Sequence, residues 1–403
     1  MAAEPPARPR AVAEPPSVAA GFSGAAFLEK AWPGHPEWLA MLADILVKGE
    51  KLSGRDGWFR TAVAQTRFSW RTISTALDKD GDGAITKAEF AGPDADFARL
   101  DRNRDGLLTA RDFDFTSPAA GASAAMALFG RADRDGNGKV TRAELDAFFA
   151  TADSGSAGFV SLGDLEQDFS QPPPAMKGSP GSPDGPTRWT FLRSFVRGEF
   201  GAFPAGPDLD EIAPDFTLRS VDNRQEVTLS KVVGPRPVVL VFGNFTCRPF
   251  RAEAGDLEKL YQRYKDRATF LMIYVREAHP TDGWRMEVND RLGVTVAQPR
   301  SYEERVGVAQ TCLKTLGLSF PMLVDTIDDP VNNRYSGIPS RLYLIDRGGK
   351  IAYKSVRGPF GFKPAELEHS LVWLLNQEDT AATRAPGIRS PHLTTGGPRD
   401  GSR

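Results

Sequence analysis

The sequence predicts an α+β multidomain chain: an all-α N-terminal region followed by an α/β domain with helices over a central sheet. Three observations predict it. An acidic-glycine pattern repeats between Leu77 and Phe169. Gln171 to Asp208 is rich in Pro, Gly and Ser, a linker by composition. From Ile212 onward, short β-rich runs alternate with helical ones. With 403 residues the chain has room for two or three cores. The expected division is a disordered lead-in over 1–20, a helical region over 21–170 and a linker over 171–208. The α/β domain follows over 209–378, then a disordered Pro/Gly/Thr-rich tail.

Taken in order, Trp38, Leu39, Leu42, Ile45 and Leu46 recur at helical spacing and predict a helix over Pro36–Lys48. A second is expected over Trp58–Leu77. Within the linker, Trp189 to Val196 is apolar enough for a short helix docked on a neighbour. In the α/β part the expected strands are Phe216–Leu218, Val238–Phe242, Thr269–Val275, Met322–Val324, Arg341–Ile345 and Ile351–Tyr353. Helical patterns fill Pro249–Tyr264, Ser301–Leu316 and Pro364–Leu375, and Asp346-Arg347-Gly348-Gly349 reads as a hairpin turn.

The acidic repeats have the spacing of EF-hand calcium loops. Ca²⁺ takes about seven hard oxygens. In Asp78–Glu89 these are Asp78, Asp80, Asp82, the Ala84 carbonyl and Glu89, with Gly83 at the sharp bend. Asp133–Glu144 fits equally well through Asp133, Asp135, Asn137, the Lys139 carbonyl and Glu144. Asp101–Asp112 supplies Asp101, Asn103, Asp105, the Leu107 carbonyl and Asp112. Its shorter last carboxylate should weaken Ca²⁺ and let Mg²⁺ compete. Asp153–Asp164 has Gly155 and Ala157 where oxygens are needed, and is expected to be a structural partner for the third loop. The first two loops start 23 positions apart, so one helix must serve both.

Cys247 follows the apolar run Val238–Phe242 and precedes a helical pattern, which puts a thiol at a strand-to-helix turn. There the positive end of a helix dipole favours the thiolate, the nucleophilic form. The chain has two cysteines, too few for a disulfide framework, so a reducing or cytoplasmic setting is favoured. The Pro/Ala-rich start lacks the apolar core of a secretory signal, although an earlier start codon would change that reading. No apolar run is long enough to span a bilayer. With 50 basic and 52 acidic residues, bulk attraction to nucleic acid is not expected.

Glu211-Ile212-Ala213-Pro214-Asp215-Phe216 resembles the opening of thioredoxin-fold peroxidases and reductases, and Gly337-Ile338-Pro339-Ser340 is similar to their cis-proline turn. More specifically, residues 209–377 resemble the iodothyronine deiodinases. The carrying motifs are Phe242-Gly243-Asn244-Phe245-Thr246-Cys247-Arg248-Pro249-Phe250 and Tyr274-Val275-Arg276-Glu277-Ala278-His279-Pro280-Thr281-Asp282-Gly283-Trp284. Val324-Asp325-Thr326, Arg341-Leu342-Tyr343 and Arg357-Gly358-Pro359 add to them. In that family a selenocysteine stands at the position of Cys247. The resemblance implies a thioredoxin-like domain with Cys247 as nucleophile and Thr246 its neighbour. Tyr274 and His279 would form a hydrogen-bond relay, and Arg357 would meet the substrate's phenol or carboxylate. It further implies a small halogenated aromatic substrate and an external thiol reductant, and leaves room for a homodimer. Ser340 replaces a vertebrate Glu, Pro299 stands where a second family His is common, and Phe245 replaces a family cysteine.

Three functions follow as alternatives. The first is a cysteine-type, deiodinase-like reductive dehalogenase. The second is a one-cysteine peroxidase or disulfide reductase taking a peroxide, although Leu240 and Asn244 break the peroxiredoxin motif and Phe250 breaks a dithiol motif. The third is a non-enzymatic calcium-binding interaction protein. Cys312, in a helical run, reads as core packing.

Overall fold

The computed structural model describes residues 28, 30–32, 36–48, 62–117, 121–153, 155–171, 187–197, 199 and 205–384. The expected lead-in, most of the linker and the tail beyond 384 lie outside them. The N-terminal elements are α1 (Glu37–Lys48), β1 (Gln65–Thr66), α2 (Trp70–Leu77), α3 (Asp94–Leu100), α4 (Ala122–Ala132), α5 (Arg142–Ala152), α6 (Leu162–Ser170) and α7 (Arg188–Val196). The helix expected over Trp58–Leu77 is shorter, and residues 58–61 are not described. Ser69 caps α2 by accepting the Thr72 amide at 3.2 Å. Before it, Gln65 and Thr66 pair antiparallel with Lys354 and Tyr353. Among its described residues the N-terminal region is therefore helical apart from one strand that it lends to the C-terminal sheet.

The C-terminal part runs β2 (Thr217–Ser220), β3 (Glu226–Thr228), α8 (Leu229–Val232), β4 (Val238–Gly243), α9 (Arg248–Ala252), α10 (Ala254–Tyr264), β5 (Thr269–Tyr274) and α11 (Glu287–Arg291). It continues through α12 (Tyr302–Leu316), β6 (Met322–Val324), α13 (Pro330–Tyr335), β7 (Arg341–Ile345), β8 (Ile351–Lys354) and α14 (Pro364–Arg384). The sheet order is β1-β8-β7-β4-β5-β6-β2-β3. Strand β4 lies parallel to β5 and antiparallel to β7, and β8 returns antiparallel to β7. This βαβ unit joined to a ββα hairpin is the thioredoxin-like core. The hairpin turns where expected, the Gly349 amide donating to the Asp346 carbonyl at 3.0 Å.

All six residues of β4 are buried, as a strand covered on both faces requires. Its alternation divides two cores. Val239 and Val241 face α10, α12 and α14 through Leu257, Ala309 and Leu371, whereas Val238, Leu240 and Phe242 face Leu229, Val331 and Tyr335. No helix among the described residues is long and apolar enough to cross a membrane.

The first two calcium-type loops bridge at Ile85 and Leu108, whose amides and carbonyls exchange bonds of 2.8 and 3.0 Å. The seven-residue α3 joins them, the shared helix that the loop spacing demanded. Among the described residues this pair has no core of its own. Ile73, Phe90, Phe97 and Leu100 belong to the cluster that also contains Leu371 and Trp373 of α14. Phe90 meets the Trp373 ring edge-to-face at 5.5 Å. The third and fourth loops keep a small separate cluster of Ala132, Phe148 and Ala152, with Val140 and Val160 against it.

The single helix expected over Pro249–Tyr264 is two, parted at Glu253. The third loop packs at that break. Gly138 has φ +79°, and a Cβ on it would stand 2.1 Å from the Arg251 carbonyl oxygen. Glycine there satisfies both the left-handed backbone and the close approach.

The shared aromatic core yields an expectation. Phe97→Ala should cost about 3–5 kcal/mol. Denaturation followed by both far-UV circular dichroism and tryptophan fluorescence should show one shifted transition. Two transitions with only one shifted would contradict a common core.

Candidate functional site

Cys247 occupies the N-cap of α9, directly beyond β4, as the sequence pattern requires. Asn244, the residue after the strand, organises the turn. Its side-chain Oδ1 accepts from the Cys247 amide at 3.0 Å, the Thr246 hydroxyl at 3.1 Å and the Ala278 amide at 3.1 Å. Its Nδ2 donates at 2.9 Å to the carbonyl of Pro339, which follows a cis peptide bond. One buried carboxamide therefore ties the cysteine turn, the Glu277–His279 segment and the cis-proline turn together.

A second layer supports the same turn from beneath. The Tyr274 hydroxyl accepts the Phe245 amide at 3.1 Å and donates to Glu277 Oε1 in a short bond, while Glu277 Oε2 accepts the Thr246 amide at 2.8 Å. Arg251 donates to the Phe245 carbonyl at 2.6 Å and to Asn289 Oδ1 at 2.7 Å, and Asn289 donates to the Thr246 carbonyl at 2.9 Å. The backbone groups of Phe245 and Thr246 and the Cys247 amide are thus met by buried side chains, which fixes the turn before any ligand arrives.

Cys247, Thr246, Tyr274 and His279 share this network, but the relay expected between Tyr274 and His279 is not formed: the Tyr274 hydroxyl is spent on Glu277 and the Phe245 amide, and the His279 ring turns to Trp284. The His279 amide donates to Thr246 Oγ1 at 3.0 Å. Its ring Nδ1 lies 3.2 Å from the Trp284 carbonyl, and the two rings meet perpendicular at 4.6 Å. Ser340 Oγ is 3.9 Å from the sulfur, and the Ser340 carbonyl accepts the Gly358 amide at 2.9 Å. Arg357 precedes that glycine, and its guanidinium lies 3.1 Å from Glu37. Asn244, Glu277, Asn289, Arg251 and Ser340 were not singled out as functional from the sequence. The available signal was a polar side chain, Asn244, closing an otherwise apolar strand.

The ionisation of the sulfur departs from expectation. Cys247 is 1% exposed, and burial pushes its thiol up. The Phe250 amide, Ser340 and Arg251 pull it down by less. The helix terminus does not win here, and the thiol is protonated and covered. Burial likewise lowers the half-buried His279 to about 4, the Trp284 carbonyl opposing it. The imidazole is neutral at neutral pH and can accept a proton. Arg357 is fully buried and lowered to about 10 by burial, with Glu37 opposing, so it remains a cation. Cys312 is buried on α12 in the main core.

In the calcium-type loops, Asp78, Asp80 and Asp82 bring carboxylate oxygens within 4.8 Å of one another, as do Asp133, Asp135 and Glu144. Glu89 instead receives the Lys79 amide at 2.9 Å and the Thr86 amide at 2.8 Å. In the middle loop Asp112 accepts the Arg102 amide at 2.9 Å, and Asn103 donates to Asp105 at 2.7 Å. The sixth-position glycines Gly83, Gly106 and Gly138 all have positive φ. The side-chain donors in the two carboxylate groups are all hard oxygens, the set that suits Ca²⁺. Asp153 accepts the Ala157 and Gly158 amides at 2.8 Å each, the same turn that Asp78, Asp101 and Asp133 make at the head of their loops.

Two outcomes follow from this geometry. Asn244→Ala leaves buried amide and hydroxyl donors unpaired and should cost roughly 2–5 kcal/mol in denaturant unfolding, whereas a loss below about 1 kcal/mol would contradict the hub. The His279 imidazole, followed by NMR, should titrate near 4. Because the folded value lies below that of free imidazole, its stabilisation is complete above about 6.5 and declines as the pH falls towards 4. A value at or above 6.5 would contradict its burial.

The family model for iodothyronine deiodinase matches residues 192–374, and that for the EF hand matches 75–91 and 126–149. The chain is 31% identical over 185 residues to the type I iodothyronine deiodinase of Xenopus laevis, covering 45% of this chain and 71% of that one. It is 32% identical to the thyroxine 5-deiodinase of Sparus aurata, over 45% of this chain and 66% of that one. With the thyroxine 5-deiodinase of Ovis aries it shares 36% identity over 35% of this chain and 46% of that one. The thioredoxin domain of a thiol-disulfide oxidoreductase from Bacteroides vulgatus is similar over 38% of this chain and 91% of its own, at 21% identity and a TM-score of 0.28. A likeness of that size carries no weight beside the sheet topology itself. Identity above 30% across 71% of a type I enzyme's length settles the kinship: this chain belongs to the iodothyronine deiodinase family and is a deiodinase-like oxidoreductase with EF-hand sequences before its redox domain.

Proposed function

We propose that the protein reductively dehalogenates an iodinated phenol or thyronine-like substrate with Cys247 as nucleophile and an external thiol as reductant. The observation that supports this reading most is the hydrogen-bonded turn of residues 244–247, tied at once to His279, Tyr274–Glu277 and the cis-Pro339 turn. A reacting sulfur must be held at a fixed angle to its target, and this turn is over-determined by buried side chains.

With the Nδ1 proton donated to the Trp284 carbonyl, His279 keeps its Nε2 lone pair for the thiol proton. The thiolate of Cys247 attacks iodine, forming an S–I bond as the C–I bond breaks. The proton taken by His279 passes to the ring carbon. One thiol then displaces iodide and forms a mixed disulfide at Cys247, and a second thiol releases the enzyme as a thiol. The balance is one aryl iodide and two thiols consumed, with one arene, one disulfide, iodide and a proton formed. Arg357 would hold the anionic phenolate or carboxylate of the substrate. Tyr274 and Glu277 position Thr246 and Phe245.

The reading extends to calcium. Asp78, Asp80, Asp82, the Ala84 carbonyl and Glu89 would hold one ion. Asp133, Asp135, Asn137, the Lys139 carbonyl and Glu144 would hold a second. Asp101, Asn103, Asp105, the Leu107 carbonyl and Asp112 would make a weaker site. The oxygen-only donors and the EF-hand matches at 75–91 and 126–149 support it.

Pure protein incubated with iodinated phenols and a dithiol should release iodide, and Cys247→Ser should lower the rate by at least about 1,000-fold. Release that survives the substitution, or none from the wild type across varied phenols, would reject the assignment.

A further inference from the structure

A cleft of about 510 Å³ lies where the first two calcium-type loops meet the redox domain, a volume that suits a small molecule. Its walls come from three stretches of chain. Arg99 in the last turn of α3 and Arg102 at the head of the middle loop contribute one stretch. Lys259 and Arg263 of α10 contribute another, and Lys363, the residue before α14, belongs to the third. The buried side chain of Leu260 lies among them. Cations outnumber carboxylates in the lining by five to three, so the pairing of those carboxylates decides what the cleft can hold.

Glu368 serves two of the cations at once. Its Oε1 lies 2.6 Å from Arg263 and 3.3 Å from Arg99, and it also accepts the Tyr264 hydroxyl at 3.0 Å. The other two carboxylates, Glu253 and Asp256, stand at the start of α10. Burial, and then the neighbouring Asp256, raise Glu253 to about 7, so it is partly protonated at neutral pH. Arg102 donates to the carbonyls of Asp112 and Asp114 at 3.3 and 2.8 Å, and its guanidinium lies 4.0 Å from the centroid of the Phe115 ring. Lys363 donates to the Phe115 carbonyl at 2.6 Å. Carbonyls and a ring hold these heads in place without neutralising them. Lys259 is exposed. Among the described residues no carboxylate comes within ion-pair distance of Arg102, Lys259 or Lys363.

We propose that this cleft is a binding site for a small molecule carrying two phosphate groups, either joined as a diphosphate or set apart on one sugar. The three cations without a carboxylate sit on three separate stretches of chain, so one compact monoanion cannot meet them together. Two phosphates bring enough charge and enough oxygens to span them, with a guanidinium fork for one and ammonium point charges for the other. The cations are already fixed by neutral partners, which lowers the ordering cost of binding. No part of the Cys247 chemistry enters. A ligand held between Arg102 and Lys259 would tie the loop pair to the redox domain, and its binding would stabilise the fold.

The test is calorimetric titration of the full-length chain with ADP and with fructose 1,6-bisphosphate, at fixed free calcium and an ionic strength of about 0.1 M. At least one of the two should bind with Kd below about 100 μM, while adenosine, fructose and inorganic phosphate bind at least tenfold more weakly. ADP alone binding identifies a linked diphosphate, and the bisphosphate alone identifies spaced groups; either upholds the site. Lys259→Glu reverses an exposed charge that has no ion pair to lose. Lys363→Gln removes the charge and keeps a donor for the Phe115 carbonyl. Each should weaken binding at least tenfold, whereas Lys231→Glu on α8, an exposed lysine whose helix packs on the other core, should leave it unchanged. Failure of both probes to bind would overturn the proposal. So would inorganic phosphate or the phosphate-free compounds binding equally well, affinity that survives both cleft substitutions, or an equal loss in Lys231→Glu. Binding is read without turnover, so the site stands or falls independently of dehalogenation.

Discussion

The side-chain carboxamide of Asn244 is the contact on which the site depends. A strand that ends in the middle of a protein must hand its backbone to the next element without leaving polar groups dry. Here one oxygen takes three donors and one nitrogen reaches the cis-proline turn, so the cysteine, the histidine segment and the β7 entry share a single anchor. Tyr274, Glu277, Arg251 and Asn289 complete the lining. The apolar sheet below provides the rigidity, and this polar layer converts it into a fixed position for one sulfur.

Much of the sheet was legible because its strands are apolar runs of the right length between turn residues. β4, β5 and β8 fall within one residue of expectation, and β6 and β7 coincide with it. β1 and β3 were missed. Each is two or three residues long and polar, with no alternation to read, and β1 forms only because β8 offers it an edge. The helix read through Glu253 broke at the point where Gly138 approaches its carbonyls, a contact across more than a hundred residues.

The site divided in the same way. Cys247, Thr246, Tyr274, His279 and Arg357 sit in contiguous motifs and could be named from the chain. Glu37 could not: its partner lies 320 positions away, and an acidic residue in the first turn of a helix has a sufficient local explanation. The reactivity of the sulfur was also misread, because dipole arguments are local while desolvation depends on the whole fold. The EF-hand region carries a similar lesson. Its loops were plain from spacing, but nothing in the spacing says that Phe90 and Phe97 complete the core of the redox domain.

The central claim is that the sulfur of Cys247 takes the halogen and is returned by thiol. Mass spectrometry of the protein mixed with an iodinated phenol and one equivalent of a monothiol tests it most directly. The account expects a mixed disulfide at Cys247, formed only when the aryl iodide is present, with one iodide released for each adduct. Iodide release while Cys247 remains a free thiol throughout would contradict it.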